Sequence, residues 1–392
     1  LGISFTLETL ILAVSLVMTV RFSSSFIISW MKARLGKQYE SDLRKKAFEA
    51  ALNAEIGFFD RNGMDRIINH VLTETTYSSK LISVLIGMME RLFLILIYLL
   101  VMAYLSIRLT FLAFLMMATI TLFIRYVLDP AASIGSKVAD ANEAVQKAVQ
   151  SGILGIREIK LFGLKAEIFS EFSQAINDSI KSEIKMVRNE TFIDKFYRLS
   201  AALTLFLLIY LGIEYEGLNF SQLGIFILAL YRMSGKVSSL NSRFYKMEGY
   251  MAHFIRVQEF FDQLANQRES SGSKEIEQID SIRFEDMSFS YGDEEALKNI
   301  SFEIEKGEFK ALVGKSGAGK STVASLLTRM YHPTDGKIVS EGISIQEYGL
   351  ESWREKFAVV RQKSFIFNDT LRENVKIGRP EASEDEIMEA CK

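Results

Sequence analysis

The longest apolar runs in this sequence exceed what a buried helix of a soluble domain needs. Thr9–Met31 is interrupted only by Arg21, Leu81–Ile107 only by Glu90 and Arg91, and Leu109–Leu128 only by Arg125. Phe196–Ile213 carries only Arg198 and Gly217–Ser234 only Arg232. About 20 mostly apolar residues carry a helix across the hydrocarbon core of a bilayer, so the pattern predicts five membrane spans, near residues 9–31, 81–107, 109–128, 196–213 and 217–234. Leu92–Leu105 and Leu109–Ile124 lack the polar face that a soluble helix would show to water.

Between the spans lie charged stretches with helical periodicity: Trp30–Phe59, Val138–Glu190 and Val237–Gln267. At about 1.5 Å per residue the first extends roughly 45 Å, which predicts arms projecting well beyond the membrane surface. The arms break near Phe58-Phe59-Asp60-Arg61-Asn62-Gly63 and Gly152-Ile153-Leu154-Gly155, where Asp, Asn or Gly can end one helix and begin the next. On spacing alone each break is an ordinary turn between helices. The segment Lys32–Lys80 holds Arg34, Lys37, Arg44, Lys45, Lys46, Arg61 and Arg66, whereas the turns at Ser106–Arg108 and Glu214–Phe220 hold one cation and none. Basic loops stay in the cytoplasm, so the arms are expected inside and the two short turns outside. Leu1 then lies outside, and a sixth helix is expected ahead of it.

After Gln267 the rhythm changes. Residues 267–278 read QRESSGSKEIEQ, a polar linker without apolar period. Beyond it, Ile282, Phe284, Phe289 and Tyr291, then Ile300, Phe302 and Ile304, alternate with the period of two expected of half-buried strands. The chain therefore divides into a membrane domain at 1–266, a linker at 267–278 and an α/β domain at 279–392.

Composition supports this division and narrows the function. Of 392 residues, 49% are hydrophobic and 24% charged, and the mean hydropathy is positive. A net charge of −2 provides no field for holding nucleic acid, so no nucleic-acid partner is expected. Cys391 is the single cysteine, which excludes an internal disulfide and a thiolate metal framework.

The chemistry lies in the last third. Phe309-Lys310-Ala311-Leu312-Val313 reads as a buried strand, followed by Gly314-Lys315-Ser316-Gly317-Ala318-Gly319-Lys320-Ser321 and a helical run from Thr322 to Tyr331. This is G-x-x-x-x-G-K-[ST] between a strand and a helix, the phosphate-binding loop. Its glycines let successive N–H groups turn toward phosphate oxygens at the positive end of the helix. Lys320 is expected to reach the β- and γ-phosphates and Ser321 to ligate Mg²⁺, with residues 314–322 as the nucleotide cradle.

At this point the chain resembles an ABC transporter, a half-transporter of the exporter type whose membrane domain precedes its nucleotide-binding domain. Phe289-Ser290-Tyr291 resembles the family's aromatic loop, which implies that Tyr291 stacks on adenine. Leu327–Ile338 resembles the helix and turn after the phosphate loop. Val359-Val360-Arg361-Gln362 with Phe365–Val375 resembles the Q-loop, which implies that Gln362 helps coordinate Mg²⁺ and senses the γ-phosphate. The resemblance implies an α-helical polytopic membrane domain with long cytoplasmic helical extensions, followed by the N-terminal half of an α/β P-loop nucleotide-binding domain. It also implies ATP and Mg²⁺ as cofactors, a second half-transporter as partner in a homodimer or heterodimer, and the inner or plasma membrane as location, with the nucleotide-binding domain in the cytoplasm. Phe58–Asp65 and Gly152–Phe162 become the expected coupling segments.

The departures shape the remaining expectations. Residues 1–392 hold no L-S-G-G-Q signature and no four-hydrophobic run ending in Asp-Glu, and none of His70, His253 and His332 follows such a run. The sequence reads as lacking both ends of the family's chain, and these residues alone are expected not to hydrolyse ATP. The expected function is an ATP-driven exporter or flippase subunit; the rival reading is a nucleotide-gated channel or regulator that binds ATP without pumping. Arg21 and Arg232, set in apolar spans where a cation is costly, are the candidate substrate residues, pointing to an anionic lipid or a lipid-linked sugar.

Overall fold

The computed structural model describes residues 6–215, 217, 219–361 and 364–392. The chain forms two compact units, Leu1–Glu269 and Ser270–Lys392.

In the first unit the helices are longer than the apolar runs they contain. Helix α1 spans Leu7–Leu52, opening with a capping box at Thr6 and Thr9 and running without a break from its apolar part into its charged part. Two short helices follow, α2 (Ile56–Asn62) and α3 (Met64–Asn69), then a π-helical turn at His70–Glu74 and α4 (Thr75–Leu105). The chain reverses at Ser106, whose hydroxyl accepts the Leu109 N–H at 3.2 Å and starts α5 (Ile107–Val127). Helix α6 (Ala131–Leu154) begins directly after Pro130, and α7 (Ile156–Phe162) is a single short segment closed by Gly163. Two long rods complete the unit, α8 (Lys165–Glu214) and α9 (Phe220–Ala265).

Among the described residues, five of these helical stretches are long and apolar enough to cross a membrane: those containing α1, α4, α5, α8 and α9. Where α4, α5, α8 and α9 meet, Met102, Leu109, Met117, Leu208, Phe226, Leu230 and Met233 are buried. Beyond that layer, Ile124, Ile134, Ile193, Tyr197 and Tyr245 join α5, α6, α8 and α9. At the far end Ala47, Ala51, Phe58, Ile67, Phe260 and Leu264 bury the α2–α3 corner against α1 and α9. The apolar side chains of α1, by contrast, are exposed from Ile11 to Met31. An uncovered apolar surface of that length is tolerable only against lipid or other membrane helices.

The second unit is a small antiparallel sheet with helices packed on it. Strands β1 (Ser281–Tyr291) and β2 (Glu294–Glu305) form a hairpin; β3 (Asp335–Ser340) pairs with the other edge of β1, and β4 (Ile343–Ser344) follows, giving the order β2-β1-β3-β4. The hairpin uses the two alternating runs visible in the sequence. Phe284, Met287, Leu326, Ile338 and Trp353 make the core, bringing helix α10 (Lys320–Leu327) and helix α11 (Leu350–Arg354) onto the sheet.

The sequence reading fails at one predicted strand. Residues 309–313 pair with nothing, and Phe309 and Val313 are more than nine-tenths exposed. Val360, in the run that resembles the Q-loop, is equally bare. A strand buried on both faces needs hydrogen-bonded neighbours at its edges, and the described residues supply none. The apolar composition was read correctly; its ladder is missing.

The end of α10 shows how the unit holds its loop. The Trp353 indole N–H donates to Leu327 O at 2.8 Å, and the Arg354 guanidinium donates to Thr328 O at 3.1 Å and Arg329 O at 2.9 Å. These side chains take up carbonyls that a helix C-terminus otherwise leaves without partners. Trp353 is fully buried. Trp353→Ala is therefore expected to cost the second unit about 3–5 kcal/mol, whereas Trp353→Phe, which keeps most of the packing and loses the N–H donor, should cost about 1–3 kcal/mol through the unsatisfied carbonyl. Denaturant unfolding followed on the second unit checks both values; Trp353→Phe as stable as the wild type would show that packing alone matters there.

Candidate functional site

The loop between β2 and α10 is shaped by what glycine permits. Gly317 and Gly319 both hold positive φ, 84° and 77°. At Gly319 a Cβ would fall 2.3 Å from Leu297 Cδ2 and 2.8 Å from Ala296 O, so any side chain there would push the loop off β2. Ala318 N–H closes a turn on Lys315 O at 3.2 Å, and Val323 N–H makes the first helical bond, to Gly319 O at 3.0 Å. No side chain caps the first turn of α10. Its leading N–H groups therefore point out of the helix end without a helical acceptor, as in an anion-binding helix terminus.

Charge matches the geometry. From Phe309 to Thr322 the chain holds Lys310, Lys315 and Lys320 and no acidic residue. Lys320 Nζ folds back over the loop, donating to Gly314 O at 2.9 Å and Lys315 O at 2.7 Å. The loop thus wraps its own cation, with Ser316, Gly317 and Ala318 exposed around it. The Ser321 hydroxyl is also exposed. Just before the loop, the Glu308 carboxylate accepts the Glu305 N–H at 3.0 Å and pairs with Lys310 at 2.9 Å. These bonds hold it below the ordinary carboxylate range.

Tyr291 closes one side. Its ring meets Phe289 edge-on at 4.7 Å and Tyr331 edge-on at 5.2 Å, and its hydroxyl donates to Thr322 Oγ1 at 3.3 Å. The ring remains 42% exposed, which leaves surface for a planar ligand. The buried Thr322 oxygen accepts from the tyrosine, which ties Tyr291 to the first turn of α10. Gln362 lies outside the described residues. Among the described residues no group of three or more His, Cys, Asp or Glu side chains could hold a metal ion. A Mg²⁺ held through Ser321 would then need phosphate oxygens and water for most of its shell, as that ion ordinarily has in nucleotide sites.

In the first unit the intramembrane arginines separate into two groups. Arg21 on α1 and Arg232 on α9 are exposed and form no ion pair or hydrogen bond among the described residues. Arg91 pairs with Glu90 and donates to Ser239 Oγ at 3.2 Å, and Arg125 lies over the Phe244 ring at 4.3 Å.

Sequence reasoning missed a third feature. Lys32 on α1 and Arg243 on α9 converge with Arg91 on the same turn of α4, beside Gly87. A Cβ on Gly87 would lie 2.2 Å from Arg243 Nη1 and 2.9 Å from Lys32 Nζ. Arg91 Nη1 points at Gly87 O from 3.4 Å. Three cations therefore meet where Glu90 and Arg91 interrupt the apolar run of α4, with Glu90 beside them and Glu190 also near Arg243. Lys32 follows the first span directly and Gly87 interrupts an apolar run; those were the available signals, but only the fold unites them.

Comparison with known proteins agrees with these observations. Residues 4–236 match the family model described as ABC transporter transmembrane region, and residues 297–392 match the one described as ABC transporter. The chain is 29% identical over 381 residues to the ATP-dependent lipid A-core flippase of Haemophilus ducreyi, covering 94% of this chain and 64% of that protein. It is 29% identical over 403 residues to the protein of the same name from Pasteurella multocida, covering 98% and 68%. The H. influenzae (strain Rd) protein of that name is 28% identical over 384 residues, covering 95% of this chain and 64% of its own length. The chain thus spans about two thirds of the length of these curated relatives. With its apolar helices it is a multi-pass protein of the inner membrane, and its nucleotide-binding unit is cytoplasmic. A membrane region and a phosphate-loop unit on one polypeptide, each matched by its own family model, establish that this chain belongs to the ABC transporter family and has the fused arrangement of its exporters.

Proposed function

We propose that this chain is one half of an ATP-driven lipid flippase that pairs with a second half-transporter and moves an anionic lipid, or a lipid-linked sugar with an anionic head, between leaflets. The observation that carries the reading is the concurrence, on one chain, of a lysine-wrapped phosphate loop and a three-cation cluster where Glu90 and Arg91 interrupt the apolar run of α4. The relatives named as lipid A-core flippases support it.

In this reading residues 1–266 form the transport domain, 267–278 the linker and 279–392 part of the ATPase domain. Residues 314–322 hold the triphosphate through backbone N–H groups. Lys320 leaves its carbonyl partners for the β- and γ-phosphates, an exchange of neutral acceptors for charged ones that favours binding. Ser321 donates its oxygen to Mg²⁺, which when bound neutralises phosphate charge during transfer. Tyr291 presents its open face to adenine, and Gln362 completes the metal and γ-phosphate contacts. Lys32, Arg91 and Arg243 attract the lipid's phosphate oxygens; Arg21 and Arg232 extend the positive path.

Two outcomes check the two ends of this account in the intact transporter. Lys320→Ala should weaken MgATP binding about tenfold or more, because charge-assisted hydrogen bonds of roughly 1.5–3 kcal/mol are lost; unchanged nucleotide affinity and turnover would remove Lys320 from the site. The double variant Lys32→Gln/Arg243→Gln should lose the stimulation of ATPase by a phosphate-bearing lipid while retaining basal turnover. Adding Arg21→Ala or Arg232→Ala should deepen that loss. Stimulation that survives all these substitutions would point to neutral or cationic cargo.

A further inference from the structure

The helix that leads from α3 into α4 is irregular at one place, and its local sequence does not explain why. His70–Glu74 form a π-helical turn, with Thr75 N–H bonded to His70 O five residues back. The segment His-Val-Leu-Thr-Glu contains neither Gly nor Pro, the usual causes of a helix distortion. Tertiary contacts hold it instead.

On one side stands α9. Glu74 is 2% exposed and His253 is 3% exposed, and Glu74 Oε2 lies 2.8 Å from His253 Nδ1. Arg256 Nη1 is 3.8 Å from the other carboxylate oxygen. Tyr77 stacks on the His253 ring at 4.5 Å, and His70 stacks on Phe260 at 4.6 Å. On the other side stands α1. Arg44 Nη2 donates to Leu72 O at 3.1 Å and to Thr76 Oγ1 at 2.5 Å. The carbonyls loosened by the wide turn also receive hydroxyls: Thr75 Oγ1 donates to Val71 O at 2.6 Å, and Thr76 Oγ1 to Leu72 O at 2.6 Å. A buried carboxylate–imidazole pair is an inefficient stabiliser, since desolvation offsets most of its attraction. Its position is the more informative property: it grips the last residue of the turn.

The turn is also placed where a change would matter. It separates α2 and α3, whose Phe58 and Ile67 are packed at the end of the arms, from the apolar part of α4. A π-turn carries one residue more than an α-turn. Exchange to regular α-helix would rotate everything on one side by about 100° and shift it by about 1.5 Å along the axis.

We propose that Glu74 and His253, opposed by Arg44, are positioning residues that hold this π-turn as an adjustable joint, and that its π-to-α exchange passes motion between the expected coupling segment Phe58–Asp65, carried on α2 and α3, and the membrane-spanning part of α4. The proposal rests on the transport reading above, with ATP as the source of the motion. Glu74 and His253 touch neither substrate nor nucleotide in it. They act through the turn.

The experiment uses the intact transporter in lipid nanodiscs, with Cys391→Ser and spin labels at Met64 and Met89, both exposed and on opposite sides of the turn. Labelled chains are diluted with unlabelled ones so that the pulsed-EPR distance is measured within one chain. A continuous helix would fix that distance at about 37 Å. In the wild type it should shift by several ångström between the nucleotide-free and MgATP-trapped states. Deletion of Leu72, which removes the extra residue, and Glu74→Gln, which releases the grip without changing length, should each give one distance in both states. Both variants should bind ATP normally and lose lipid-stimulated turnover.

A wild-type distance that does not respond to nucleotide overturns the joint, whatever the variants do, as does full lipid-stimulated activity in the Leu72 deletion. Should that deletion fail to fold by thermal melting, a Glu74→Gln protein that shifts its distance like the wild type overturns the role of Glu74. A wild type that shows the distance shift but no lipid stimulation removes the lipid reading and leaves the joint standing.

Discussion

A backbone that crosses a bilayer must satisfy its own hydrogen bonds, and that requirement governs most of this molecule. Lipid offers no partner for an N–H or a carbonyl, so each crossing is a complete helix. Here the helices do not stop at the membrane: α1, α8 and α9 run on for 46, 50 and 46 residues in total. Rods of that kind transmit movement but hardly bend. Among the described residues the helical rods are interrupted within the arms at the α2–α3 corner and the α6–α7 break, and the π-turn departs from regular helix.

The same solvent makes charge expensive, which gives weight to where the cations sit. Arg91 and Arg125 have their costs reduced by a carboxylate and an aromatic face. Lys32 and Arg243 come together beside Gly87 and make no ion pair among the described residues, with Glu90 the nearby acid of both and Glu190 a further one for Arg243. Like charges brought that close repel one another, so an anion arriving there would be bound both by attraction and by the repulsion it relieves. The phosphate loop has the parallel arrangement on the other unit: an acid-free stretch, outward N–H groups and a lysine bonded only to neutral carbonyls. On the proposed reading both would take phosphate oxygens.

Legibility from sequence followed the range of the interactions. The membrane helices were readable because long apolar runs need no partner to be recognised, and the phosphate loop because Gly314–Ser321 is a local motif whose glycines act through φ. The β1–β2 hairpin was readable from alternation. Strand formation at 309–313 was misread because a ladder depends on neighbouring strands, which the described residues do not supply. The Lys32–Arg91–Arg243 cluster was invisible because three helices build it, and Glu74–His253 because a pair 179 residues apart leaves no pattern. The cap on α10 by Trp353 and Arg354 was missed for the same reason. The π-turn had no signal at all, since its cause is tertiary.

On the proposed reading this chain belongs to a machine in which ATP moves an anionic lipid. It is tested most directly by ATP-dependent translocation of a fluorescent phosphate-bearing lipid in proteoliposomes of the intact transporter, scored by access of a membrane-impermeant quencher. The account predicts that MgATP shifts the labelled anionic lipid toward one leaflet, and that a neutral lipid with the same tails stays where it is. Hydrolysis of ATP with no change in leaflet distribution, or equal movement of the neutral lipid, would contradict it.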